Sequence, residues 1–176
     1  MKFADVFLPP NLITLSRFFL SLYLFFNYTV DDFTSYVLIF MIAFIGLSDS
    51  LDGIVARRFN LVSKLGIILD PLTDRIVFII LLFWLSPLIP LNLIYSVLIR
   101  EFLVLIGSIY VLINGSRINV SKKGKIGTVA LFVLICLFVL NTSISVPFLE
   151  QLAIVVIIFY FYVAIEYLYN LIYKSG

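Results

Sequence analysis

The chain has 176 residues, of which 63% are hydrophobic and only 12% charged, with a mean hydropathy of +1.19 and a net charge of +2. This composition excludes an ordinary soluble domain and indicates an integral membrane protein with no nucleic-acid partner. The absence of His argues against zinc or copper, and the single cysteine, Cys136, reads as helix packing with no disulfide within the chain.

A spanning helix needs roughly 20 mostly apolar residues. Six runs of about that length follow one another: Asn11 to Tyr28, Phe33 to Asp52, Ile67 to Ser86, Asn92 to Asn114, Ile126 to Ser143 and Pro147 to Tyr173. Within the first, Leu12 to Phe26 resembles a signal peptide, but Arg17 interrupts it and no small-x-small cleavage site follows, so it reads as an uncleaved span. Six spans leave almost no residues for a soluble domain. With no internal repeat or low-complexity linker, residues 1–176 are expected to form a single transmembrane domain whose chemistry sits at helix ends and short loops.

If the spans alternate, the basic residues gather on one side. Lys2, Arg57, Arg58, Lys64, Arg117, Lys122, Lys123, Lys125 and Lys174 share the side of both termini, whereas the opposite loops carry Asp31, Asp32 and Glu150. By the positive-inside rule both termini are expected in the cytoplasm.

Charged residues inside spanning helices are costly and usually face a polar cavity. Here they are Arg17, Asp49, Asp52, Asp70, Asp74, Arg75, Arg100, Glu101 and Glu166, most in the cytoplasmic part of their helices. The expected fold is therefore all-α, with six transmembrane helices around a polar cavity open to the cytoplasm. Asp49 and Asp52 are three residues apart and Asp70 and Asp74 four apart, so each pair shares one helical face. Four clustered carboxylates repel unless a counter-charge is present. Oxygen-only ligands suit Mg²⁺ or Mn²⁺, and a pair of ions accounts for four aspartates better than one. The other reading of the cluster is a set of ion pairs with Arg17, Arg57, Arg75 or Arg100.

The frame Asp49-x-x-Asp52-Gly53-x-x-Ala56-Arg57, eight residues, Gly66-x-x-x-Asp70-x-x-x-Asp74 resembles the signature of the CDP-alcohol phosphotransferases at every fixed position. That resemblance implies transfer of a substituted phosphate from a CDP-linked donor to an alcohol with release of CMP. It further implies two divalent cations, with Asp49, Asp52 and Asp70 as ligands and Asp74 as both ligand and acceptor of the hydroxyl proton. Gly53, Ala56, Arg57 and Gly66, joined by Asn11 and Thr14 of the first span, would hold the CDP moiety, and a homodimer is implied as well. Apart from the resemblance, a glycine at position 53 lets phosphate approach the helix closely, and with no His a carboxylate is the natural base. Gly53, Ala56 and Gly66 also fit close helix packing, and Arg58 reads as a topogenic charge.

Shorter segments resemble the phosphatidylglycerophosphate synthase branch, whose donor is CDP-diacylglycerol and whose acceptor is glycerol 3-phosphate. They are Pro10 to Arg17, Arg100-Glu101-Phe102, Gly124-Lys125-Ile126-Gly127-Thr128 and Ile165-Glu166-Tyr167. An anionic acceptor needs cations, which Arg100, Arg117, Lys122, Lys123 and Lys125 can supply. Arg100 could equally pair with Glu101 or Glu166, and the lysines could bind anionic lipid headgroups. Relatives that use glycerol 3-phosphate commonly carry a further Arg where this chain has Gly107-Ser108, and a Lys where it has Gly127. The cardiolipin synthases of the same family, with phosphatidylglycerol as acceptor, are therefore the alternative; an inositol phosphate or serine acceptor remains open. From another class, a cation transporter would also bury acids, but these aspartates have no twin in the second half of the chain.

Overall fold

The computed structural model describes residues 9–58, 64–114 and 122–174; within them the side chains of 10, 47, 49–58, 64–71, 108–114, 122, 167–168 and 170–174 are outside the description. Among the described residues the chain is all-helical. Its α-helices are α1 (Pro9–Asn27), α2 (Ser35–Arg58), α3 (Lys64–Trp84), α4 (Leu91–Asn114), α5 (Lys122–Leu140) and α6 (Leu149–Lys174). The chain divides into two compact units between Pro87 and Leu88.

Helix and span boundaries differ where charge marks the end of an apolar run. The second run was expected to end at Asp52, yet α2 continues to Arg58. The fifth was expected from Ile126, yet α5 opens at Lys122. A backbone helix is set by its own hydrogen bonds and tolerates polar side chains, whereas a span is set by hydrocarbon thickness. Two helical segments, Lys123–Leu140 and Leu149–Glu166, are long and apolar enough to cross a membrane by length and composition, among the described residues.

In the first unit α1 packs against both α2 and α3. Asn11, Thr14, Arg17, Ser21 and Leu24 recur every three or four residues and are buried, so the mostly polar stripe of α1 faces inward. Leu12, Phe19, Tyr23 and Phe26 face outward. This reversal of the soluble pattern is what a lipid environment selects, because hydrocarbon accepts phenylalanine and rejects arginine. The other helices contribute apolar inner faces, Leu38, Ile42 and Ile45 from α2 and Val77 and Trp84 from α3, with Thr73 buried beside them.

The far end of this unit is closed by aromatic residues. Trp84 Nε1 donates to the carbonyl of Tyr28 at 2.9 Å. The Phe33 ring lies between them, 5.5 Å from Tyr28 and 6.0 Å from Trp84 by centroid. Thr29 donates to Asp32 Oδ2 from its backbone N–H at 2.7 Å and its hydroxyl at 3.0 Å, fixing the turn between α1 and α2.

In the second unit α6 packs on both α4 and α5. Its buried residues Leu149, Ala153, Val156, Tyr160 and Val163 repeat at alternating steps of four and three, the spacing of a helix that offers a continuous seam to its neighbours. Gly127, Leu131, Leu134 and Phe138 line the corresponding face of α5, and Leu93, Ile94 and Val97 that of α4. Phe148, at the entry to α6, adopts a left-handed backbone with φ of 58°.

Candidate active site

The aspartate frame lies on two continuous helices. Asp49, Asp52, Gly53, Ala56 and Arg57 are all in α2, and Gly66, Asp70 and Asp74 are in α3. On α2, positions 49, 52, 53 and 56 follow the i, i+3, i+4, i+7 pattern of one face; on α3, positions 66, 70 and 74 follow i, i+4, i+8. The side chains of these residues other than Asp74 lie outside the described residues, as does Arg117 altogether, together with the side chain of Lys122 at the first position of α5.

Asp74 is described, and it meets α1. Arg17 Nη2 donates to Asp74 Oδ1 in an ion pair between side chains that are 4% and 37% exposed, respectively. A buried guanidinium requires such a partner, and Asp74 supplies it from the third helix. The ion-pair reading of the acidic cluster is thus realised at this one aspartate among the described residues. Asn11 and Thr14, expected beside the nucleotide, are buried on the same face of α1 as Arg17.

In the second unit Arg100 Nη1 donates to Glu101 Oε1 at 2.5 Å, with side chains 12% and 15% exposed. The Arg100 guanidinium carbon lies 4.3 Å from the centroid of the Tyr160 ring. The Tyr160 hydroxyl donates to the same Glu101 Oε1 at 3.0 Å. Among the described residues, the buried Arg100 Nε has no hydrogen-bond partner. Of the two carboxylates considered for Arg100, the structure selects Glu101. Glu166 belongs instead to Lys123, whose Nζ donates to both carboxylate oxygens at 2.8 and 2.9 Å and lies 5.3 Å from the Tyr162 ring centroid. Lys125 is exposed, beside a shallow apolar groove that it lines with Ile126, Val129 and Ala130.

Three buried side chains near these charges escaped the sequence reading. Ser21 and Thr73 carry a weak signal, since Ser21 stands four residues after Arg17 and Thr73 immediately precedes Asp74. Tyr160 carries none of its own, being one aromatic residue among many in an apolar helix. Its position is implied only by Gly127, where a β-carbon would stand 3.4 Å from Tyr160 Cδ2.

The family model described as CDP-alcohol phosphatidyltransferase matches residues 7–166. The chain is 36% identical over 128 residues to the CDP-diacylglycerol–glycerol-3-phosphate 3-phosphatidyltransferase of Aquifex aeolicus, covering 68% of each. It is also 36% identical over 105 residues to the CMP-forming cardiolipin synthase of Rattus norvegicus, covering 58% of this chain and 34% of that protein. A third relative, the CMP-forming cardiolipin synthase of Streptomyces coelicolor, is 41% identical over 68 residues, 38% of this chain and 32% of its own. The chain therefore spans about a third of the length of these cardiolipin synthases and about two thirds of the Aquifex enzyme. With the full aspartate frame on two helices and a family match from α1 into α6, the chain belongs to the CDP-alcohol phosphatidyltransferases, a family of membrane-embedded transferases.

Proposed function

We propose that this protein transfers the phosphatidyl group of CDP-diacylglycerol to glycerol 3-phosphate, forming phosphatidylglycerophosphate and CMP in phospholipid biosynthesis. The observation that carries the reading is the complete frame from Asp49 to Asp74 in a chain that matches the Aquifex phosphatidyltransferase over 68% of both lengths. Family membership sets aside the cation-transporter alternative.

The donor set suits two hard divalent cations. Its four carboxylates occupy shared faces of two helices and offer only oxygen. Asp49, Asp52, Asp70 and Asp74 would hold Mg²⁺ or Mn²⁺, which when bound stabilises negative charge on the attacking and leaving oxygens. The chain's own residues do the rest. Gly53, Ala56, Arg57 and Gly66, with Asn11 and Thr14, hold the CDP group. The acceptor hydroxyl oxygen bonds to the phosphorus bearing diacylglycerol, the diphosphate bond to CMP breaks, and the hydroxyl proton passes to Asp74. Arg17 orients that carboxylate from α1. Arg100, Arg117, Lys122 and Lys125 attract the acceptor phosphate, and the lysines add their charge to the positive end of α5.

In this reading all six helices span the membrane, the active site opens to the cytoplasm beside both termini, and the protein resides in a bacterial cytoplasmic membrane as a homodimer. The basic residues on one side of the six apolar runs support the orientation. Residues 1–176 act as one functional domain, in keeping with the family match across both units.

A second reading, cardiolipin synthase with phosphatidylglycerol as acceptor, is favoured by one feature. Gly127 provides no cation, and its face is covered by Tyr160. The discriminating experiment uses the purified protein in detergent with CDP-diacylglycerol and Mg²⁺ or Mn²⁺, measuring CMP and the lipid product with each acceptor offered separately. Phosphatidylglycerophosphate supports the proposal, cardiolipin supports the second reading, and release of CMP with neither acceptor overturns both.

A further inference from the structure

Arg100 occupies an unusual setting for a cation expected to meet a substrate. Its guanidinium is bonded to Glu101 at one terminal nitrogen, covered on one face by the Tyr160 ring, and its buried Nε faces no acceptor among the described residues. Tyr160 touches both members of the pair, with its ring under the arginine and its hydroxyl on the glutamate. The tyrosine is itself only 3% exposed and lies against Gly127 of α5. An added β-carbon at 127 would already be in contact with the ring at 3.4 and 3.8 Å and with Phe159 at 3.7 Å. A longer side chain there would have to displace the ring from beneath Arg100. Thus α4, α5 and α6 each contribute to one arrangement whose centre is an aromatic side chain.

We propose that Tyr160 is a positioning residue that presents Arg100 to the anionic phosphate oxygen of the acceptor, and that residue 127 is small because the Tyr160 ring leaves room there for no more than a methyl group. The inference rests on the reading of Arg100 as an acceptor-binding residue and assigns what holds it in place. An arginine side chain has many rotamers, and fixing them before the substrate arrives removes an ordering cost from binding. The ring restricts the guanidinium plane through a cation–π contact, while the hydroxyl and Arg100 converge on a single Glu101 oxygen. The ligand chemistry is shared by the phosphomonoester of glycerol 3-phosphate and the phosphodiester of phosphatidylglycerol, so both acceptors are used as separate arms of the test.

The test compares the wild-type protein with Tyr160→Phe, Tyr160→Leu, Gly127→Leu and Arg100→Gln in detergent. It measures kcat and KM for each acceptor and for CDP-diacylglycerol, with thermal unfolding of every variant. Arg100→Gln should raise the acceptor KM at least tenfold. Tyr160→Leu should approach that value, and Tyr160→Phe, which keeps the ring, should restore most of the loss. Gly127→Leu, which reaches beyond the β-carbon already in contact with the ring, should raise the acceptor KM severalfold by displacing it. The KM for CDP-diacylglycerol should stay within twofold throughout, a split that general loosening of the second unit would not produce. The acceptor whose KM responds identifies the source of the phosphate. If Arg100→Gln raises the acceptor KM and the Tyr160→Leu and Gly127→Leu variants do not, the positioning role is overturned while the arginine's role stands; if Tyr160→Leu fails to fold, Gly127→Leu decides. An unchanged acceptor KM in Arg100→Gln overturns the underlying reading itself.

Discussion

Arg17 in α1 and Asp74 in α3 lie 57 residues apart in the chain and meet in an ion pair, Nη2 to Oδ1. Each depends on the other for a different reason. The arginine is almost fully buried and needs a counter-charge, whereas the aspartate is 37% exposed and gains a fixed orientation. Asp74→Asn should therefore reduce turnover by about 100-fold or more, the range expected from loss of a general base. Arg17→Gln keeps the proposed base and should retain measurable turnover, with a loss of stability of about 1 kcal/mol given the partial solvent screening of Asp74. Both are read from CMP release and thermal unfolding in detergent. More than a tenth of wild-type turnover in Asp74→Asn would remove the aspartate from the base role.

Metal dependence is expected to be complete and reversible. Exhaustive chelation should abolish CMP release, and Mg²⁺ or Mn²⁺ should restore it. Asp70→Asn should leave the protein in the membrane while shifting the metal titration to higher concentration or eliminating its effect. Full turnover after chelation would contradict the assignment of the four aspartates.

Trp84 provides a stability test away from the proposed chemistry. Trp84→Phe retains an aromatic ring but removes the N–H that donates to the Tyr28 carbonyl. The carbonyl then loses one partner, so the variant should be less stable by about 1 kcal/mol. Thermal unfolding monitored with and without CDP-diacylglycerol checks this; an unchanged midpoint would mean that ring packing alone closes that end.

Much of this architecture was legible because membrane helices are written in long apolar runs. The second half of the chain shows why the ends were not: Lys122 and Lys123 precede the apolar run that begins at Ile126, yet both are within α5, since helical hydrogen bonding does not depend on apolarity. The placement of the aspartates on two helices was legible because their spacing is helical. Partners were harder to read. Arg100 had two carboxylates to choose from in sequence, and the distance of Glu166 from it in the chain said nothing about Lys123 taking Glu166 instead. Tyr160 was hidden altogether, because a buried tyrosine and an interfacial tyrosine look alike in an apolar run.

Lys123 separates a structural cation from those proposed to meet substrate. Its side chain is about half exposed and already paired with Glu166. Lys123→Ala should leave the acceptor KM within about twofold of wild type, as expected for an exposed, satisfied ion pair. A tenfold rise would move the lysine into the acceptor site. The comparison should be made at low and moderate salt, since screening weakens such a pair.

The aromatic closure at Trp84 also makes α3 a lever. Asp70 lies 14 residues from Trp84 along one helix, about 21 Å at 1.5 Å per residue. Tilting α3 by roughly 5° about that end would carry the backbone of Asp70 through about 2 Å, an order of magnitude beyond the ±0.2 Å within which metal–ligand distances are held. Angular play that is negligible at the fulcrum would break a coordination bond at the other end if Asp70 holds a metal ion as proposed. The hydrogen bond from Trp84 to Tyr28 thus steadies one end of α3 and the Arg17–Asp74 pair the other, so that the proposed site inherits its angular tolerance from contacts at both ends.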